Sequence, residues 1–172
     1  MVARRRAARL AALLLGALVS VPAGVRAVRA GPGDGEGMGA ATLQRGRVTT
    51  PSGASFDVEV VTDPESRARG LKYRTLVPRG TGMIFVFPAA GRHRFWMYEC
   101  RMSIDILWID PQRRVIKIAE KVPPCAELPC PDYGPAEDDL YVLEIGPGEA
   151  SASRVRVGDR LTLLFETPPR PS

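Results

Sequence analysis

The chain has 172 residues, 45% hydrophobic and 25% charged, with 24 Lys and Arg against 19 Asp and Glu and one histidine. Its nominal charge of +5 comes from the N-terminus: Arg4, Arg5, Arg6, Arg9, Arg26 and Arg29 precede Gly31 with no acidic residue among them, so a chain cut after Ala30 keeps 18 basic residues against 19 acidic ones. Such a chain lacks the basic excess that phosphate binding demands, which argues against nucleic acid, and a lone histidine leaves no His-rich metal site and makes any Ser-His-Asp or Cys-His device depend on His93.

Residues 1–30 place a basic stretch before an apolar run from Leu10 to Val21, the pattern of a cleavable export signal. The run is broken by Gly16, Ser20 and Pro22 and is shorter than the roughly 20 apolar residues that a membrane-crossing helix needs. Cleavage is therefore expected, after Ala27 or Ala30, with a periplasmic or secreted product and no membrane span. Residues 31–41 (GPGDGEGMGAA) bury too little to offset their ordering entropy and read as a flexible linker. Residues 42–166 read as a single β-rich domain, and the proline-punctuated residues 167–172 as a disordered tail.

Within the domain, a run from Leu43 to Thr49 meets the alternating Phe56, Val58 and Val60 across the turn-forming Pro51-Ser52-Gly53, which predicts a hairpin. Asp63-Pro64-Glu65 supplies an N-cap, a first-turn proline and a first-turn acid for a short helix through Arg69, ended by Gly70. Further strands are expected at 83–87, 94–98, 104–109, 114–120, 141–145 and 160–166, with Asp110-Pro111-Gln112-Arg113 turning a second hairpin. Gly70, Gly82, Gly146, Gly148 and Gly158 stand at segment edges and read as turn or cap glycines with positive φ. The expected fold is mainly β: a compact antiparallel barrel-like or sandwich domain of about eight short strands with one or two short helices.

Several residues could carry chemistry. Cys125 and Cys130, in the proline-rich KVPPCAELPCPDYG, form a disulfide on the expectation of an oxidising compartment, their spacing matching neither the redox C-x-x-C nor a zinc knuckle. Cys100 is then left over, as a buried thiol, an intermolecular bridge or a soft metal ligand. His93 opens the run HRFWMYEC, and with Met83, Met97, Met102 and Cys100 could form a Cu(I) site; the plainer alternative is that Phe95, Trp96, Met97 and Tyr98 alternate between core and surface of one strand. Asp105 sits inside the apolar IDILWID and Glu144 inside YVLEIG. If Asp105 points inward it needs a partner, for which Arg67, Arg69 and Arg94 are the candidates, and two inward carboxylates could make a hydrolytic dyad.

The order RARGLKYR, LVPRGTGMIFVFP, HRFWMYEC, IDILWID, VPPCAELPCPDYG, YVLEIGPG and VGDRLTL resembles domain-of-unknown-function family 192, over roughly Phe56 to Phe165. The resemblance implies a compact, mainly β domain with short helices and no established activity. The matching positions Arg67, Gly70, Leu71, Gly82, Met83, Phe87, His93, Phe95, Trp96, Met97, Asp105, Cys125, Cys130, Glu144 and Gly158 imply a shared surface. This chain departs from the family's usual Lys-Asn-Thr after Met97, where Tyr98, Glu99 and Cys100 stand, and has Ser103 where a proline is common.

These observations favour a non-enzymatic binding or accessory module of the cell envelope. Its candidate surface is Arg67, Met83, His93, Phe95, Trp96, Met97, Asp105 and Glu144; no cofactor or resident metal is expected, and the partner is a small molecule or an envelope protein bound by a monomer. A copper-handling protein and a hydrolase using Asp105 and Glu144 are the alternatives.

Overall fold

In the computed structural model, which describes residues 44–165, the first hairpin forms where the alternation placed it. Strands β1 (Gln44–Thr49) and β2 (Ser55–Val61) pair antiparallel across Pro51-Ser52-Gly53. The export signal, linker and tail expected at residues 1–30, 31–41 and 167–172 lie outside the described residues. Helix α1 (Pro64–Arg69) begins on Asp63, whose carboxylate accepts the Ser66 N–H at 2.8 Å, and ends on Gly70 at φ 49°.

Beyond α1 run β3 (Thr81–Gly91), β4 (Phe95–Trp96), β5 (Ile104–Ile109), β6 (Val115–Val122), β7 (Asp132–Tyr133), β8 (Asp139–Ile145), the single-turn α2 (Glu149–Ala152) and β9 (Thr162–Leu164). Seven strands form one sheet in the order β6-β5-β8-β3-β2-β1-β9, while β4 and β7 pair apart from it. The fold is thus mainly β with two short helices among the described residues. A single curled sheet, not two packed ones, selects the barrel-like alternative. Its two ends approach one another: Val115 N–H donates to the Asp159 carbonyl and Leu161 N–H to that of Arg113, both at 2.9 Å.

Pairing is antiparallel throughout the sheet except between β2 and β3, which run parallel. Parallel neighbours need a crossover, and residues 62–80 with α1 provide it, laying the helix C-terminus beside β3. The strand expected at 94–98 shrinks to Phe95–Trp96. Its extension is cut off because the Met97 carbonyl accepts both Cys100 N–H and Cys125 N–H, at 3.1 Å each, and the chain turns at Glu99 with φ 63°. Among the glycines, Gly82 and Gly146 do not have the positive φ expected of them. Gly82 is needed for space instead, since a Cβ there would lie 2.4 Å from the Glu144 carbonyl oxygen.

Two apolar clusters occupy the two faces of the sheet. One draws on every strand of the sheet, from Val48 and Phe56 to Leu143, Ile145, Val115 and Leu163, as the interior of a curled sheet must. The other, with Met83, Phe85, Met97, Ile104, Ile106, Trp108 and Val142, is covered by Leu71 and by residues 95–133. The register alternates the strands between them: Asp105 opposes Ile145 on the first face, and Ile106 opposes Glu144 on the second. No helix among the described residues is long and apolar enough to cross a membrane.

Candidate functional site

On the second face, α1 and the residues after it stand opposite the segment 92–100, and between them opens a cleft of about 490 Å³. Arg67, Arg69, Leu71 and Lys72 form one wall, Arg92 to Trp96 and Cys100 the other, with Phe85, Phe87 and Glu144 from the sheet beneath. The volume is in the ordinary range of small-molecule sites.

His93 is fixed from four directions. Its backbone N–H donates to Asp139 Oδ1 at 3.0 Å, its ring Nδ1 lies 2.8 Å from Asp139 Oδ2, its carbonyl accepts Trp108 Nε1–H at 2.9 Å, and its ring stacks on Phe87 with centroids 3.4 Å apart. Asp139 is fully buried, and burial raises its pKa against the lowering by the His93 hydrogen bonds. The same Phe87 ring carries the Arg67 guanidinium 5.4 Å from its centroid.

Five basic side chains edge the cleft. Arg69 pairs with Glu65 at 2.9 Å, Lys72 with Glu99 at 3.2 Å, Arg92 with Asp138 at 3.7 Å, and Arg94 with Asp132. Arg67 differs: its Nη1 donates to the Thr62 carbonyl and, at 3.3 Å, to that of Val86, and no carboxylate among the described residues pairs with it. Its charge is therefore uncompensated at the cleft.

Glu144 lies at the bottom, 6% exposed, and its Oε2 has no hydrogen-bond partner among the described residues. Burial pushes its pKa up to about 8, opposed by the charge of Arg74. Arg74 is itself committed to Glu59 by two hydrogen bonds of 2.9 and 2.6 Å, the stronger cause of that acid's lowered pKa. The Cys100 thiol, half-buried in the wall, is pushed up to about 11 by burial, with Glu144 adding to the effect.

Of the eight surface residues expected from the sequence, Arg67, His93, Phe95, Trp96 and Glu144 converge here, and Trp96 stands 51% exposed at the rim. Met83 and Met97 do not; both are 1% exposed in the core beneath. Asp105 is on the opposite face of the sheet. It is buried without any arginine: its Oδ1 accepts the Lys121 and Gly148 N–H groups at 2.7 and 2.9 Å and its Oδ2 the Ala150 N–H at 2.9 Å. The backbone at the start of α2 thus takes the role expected of Arg67, Arg69 or Arg94, and the sheet separates the carboxylates of the supposed hydrolytic dyad.

Cys125 and Cys130 are joined in a disulfide with Cα atoms 5.9 Å apart. The bridged loop backs the cleft without lining it, Glu99 N–H donating to the Cys125 carbonyl at 3.3 Å. The sequence reading passed over Asp139 as a site residue and reached Phe87 only through the family resemblance. The signal for Asp139, an acid directly before the apolar strand LYVLEI, was present, but its partner is 46 residues away.

Comparisons with known proteins agree with this architecture. The model of the DUF192 family, described as an uncharacterised ACR, matches residues 47–163. No curated protein matches. A crystal structure of a protein of unknown function from Novosphingobium aromaticivorans is similar at TM-score 0.63 and 30% identity, covering 70% of this chain and 84% of that one. A second, from Sinorhizobium meliloti and described as a proposed transcription regulator, is similar at TM-score 0.62 and 31% identity, covering 70% of this chain and 92% of that one.

Proposed function

Because this chain belongs to DUF192, a family that brings no activity with it, we propose a function from its cleft: the domain is an exported, non-enzymatic module of the cell envelope that binds a small molecule between α1 and residues 92–100. The observation that carries the reading is the convergence of Arg67, His93, Phe95, Trp96 and Glu144 on one cleft with an unpartnered polar atom at its bottom. A polar atom left unsatisfied in a buried position costs about 1–3 kcal/mol, a cost that a ligand able to pair with it relieves. Aromatic rings supply the flat apolar contact and Arg67 the free charge.

A catalytic reading would pair His93 with a nucleophile. The thiol in the cleft wall, Cys100, is held protonated by burial, whereas reactive cysteines have lowered pKa values. The Asp139–His93 pair serves instead to fix the ring against Phe87. The regulator description attached to the S. meliloti relative finds no support in the near-even balance of basic and acidic residues beyond Gly31. Export rests on the pattern of residues 1–30.

A ligand-observed NMR screen of small metabolites tests the proposal. Hits should lose about tenfold or more in affinity with Trp96→Ala, by the usual weight of an aromatic contact at a binding site; hits that bind this variant unchanged and map elsewhere would overturn it.

A further inference from the structure

Resting on the reading of the cleft as a ligand site, we propose that its ligand is a zwitterion: a small amino acid-like molecule whose ammonium group enters between the aromatic walls to reach Glu144 while its carboxylate remains at the basic rim with Arg67. Three independent features of the cleft converge on this class. The bottom holds a carboxyl group, 6% exposed, whose buried Oε2 has no hydrogen-bond partner among the described residues; once it gives up its proton it only accepts hydrogen bonds, and a cationic donor is what favours that form. The lining between Glu144 and the basic rim is aromatic, with Phe85 and Phe87 from the sheet and Phe95 and Trp96 from the facing segment, the surroundings in which an ammonium group is held against ring faces. The rim is basic, and Arg67 has no carboxylate of its own. A simple cation would meet that rim unfavourably, and a simple anion would bring no positive charge to the Glu144 carboxyl.

The groups acting electrostatically on Glu144 are few. Arg74 reaches it from the segment after α1 and is held by Glu59; Cys100 faces it from the turn after β4; its cross-strand neighbours Met83 and Ile106 carry no charge. Alone, the group holds its proton at neutral pH. An arriving ammonium favours the ionised form, so binding near pH 7 releases a proton to the buffer.

The test is calorimetric titration of the purified protein with three probes sharing one ring: 4-(aminomethyl)benzoate, 4-methylbenzoate, which lacks the amine, and 4-methylbenzylamine, which lacks the acid. The zwitterion should bind at least about tenfold more tightly than 4-methylbenzoate, since removing one partner of a buried charged pair costs more than that, and more tightly than 4-methylbenzylamine, which forgoes the contact with Arg67 at the rim. Its binding enthalpy should vary with the ionisation enthalpy of the buffer, reporting the released proton. Glu144→Gln, close in shape, should bring the zwitterion to the level of 4-methylbenzoate and abolish proton release. Equal binding of the zwitterion and 4-methylbenzoate by the unaltered protein overturns the zwitterion while leaving the cleft as a ligand site. No binding by any probe at millimolar concentration also overturns it, the cleft then being judged by its own screen.

Discussion

Glu144→Gln should change how stability depends on pH, and the size of the change follows from burial. The folded chain binds the Glu144 proton with a pKa of about 8, against 4.5 for the ordinary group. Because the folded state holds the proton more tightly than the unfolded chain, this contribution is fully present below pH 4.5 and is lost as the pH rises toward 8. Each pH unit in that window removes about 1.4 kcal/mol, so roughly 3 kcal/mol is gone by pH 7. Glutamine cannot titrate, so the stability difference between variant and unaltered protein should shift by that amount in favour of the variant between pH 4.5 and 7. Asp139, whose pKa burial also raises, is common to both proteins and cancels. Urea unfolding at half-unit pH intervals, followed by tryptophan fluorescence, measures the difference. A flat difference across this window would mean that Glu144 is ionised and well solvated in the folded protein, removing the basis for an unpartnered carboxyl group.

Asp105→Ala should cost about 3 kcal/mol in the same unfolding assay, because three N–H groups, one buried and two partly buried, lose a charged acceptor that is itself fully buried; a loss below about 1 kcal/mol would contradict the capping role. Cys125→Ser with Cys130→Ser should cost about 2 kcal/mol, the short loop limiting the chain-entropy contribution. Intact mass of exported protein should show one bridge and one free thiol, and three free thiols would refute the pairing. Cys100 should react with iodoacetamide about a hundredfold more slowly at pH 7.5 than an ordinary thiol of pKa 9.0, with a rate still rising at pH 10; a plateau near pH 9 would show an ordinary, solvated thiol.

The hairpins were legible because each is written locally. Pro51-Ser52-Gly53 and Asp110-Pro111-Gln112-Arg113 lie between strand-forming runs, and Asp110 Oδ1 accepts the Arg114 N–H at 2.7 Å to close the second turn. The Asp63 cap of α1 is equally local. What escaped is what depends on distant partners. A strand's alternation does not say which strand lies beside it, so the parallel pairing of β2 with β3 was invisible. Helix α2 is four residues long without a cap of its own, since Asp105, over 40 residues earlier, accepts its N–H groups. Asp105 and Glu144 gave the same signal, an acid within an apolar strand. Yet one is fully hydrogen-bonded and the other unpartnered, because adjacent strands set them on opposite faces of the sheet. The cleft was partly legible through Arg67, His93, Phe95, Trp96 and Glu144, while Met83 and Met97 lie in the core beneath: Met83 belongs to a stretch of β3 buried throughout, and the run around Met97 does not mark which of its side chains is the buried one.

Amide chemical-shift mapping during titration with a bound metabolite or probe tests the central claim, that the cleft beneath α1 is the ligand site. The account predicts saturable shifts concentrated in residues 67–72, 92–100 and around Glu144. Shifts confined instead to the smaller cavity of about 200 Å³ around Arg45, Glu59 and Arg74, with those segments unmoved, would contradict it.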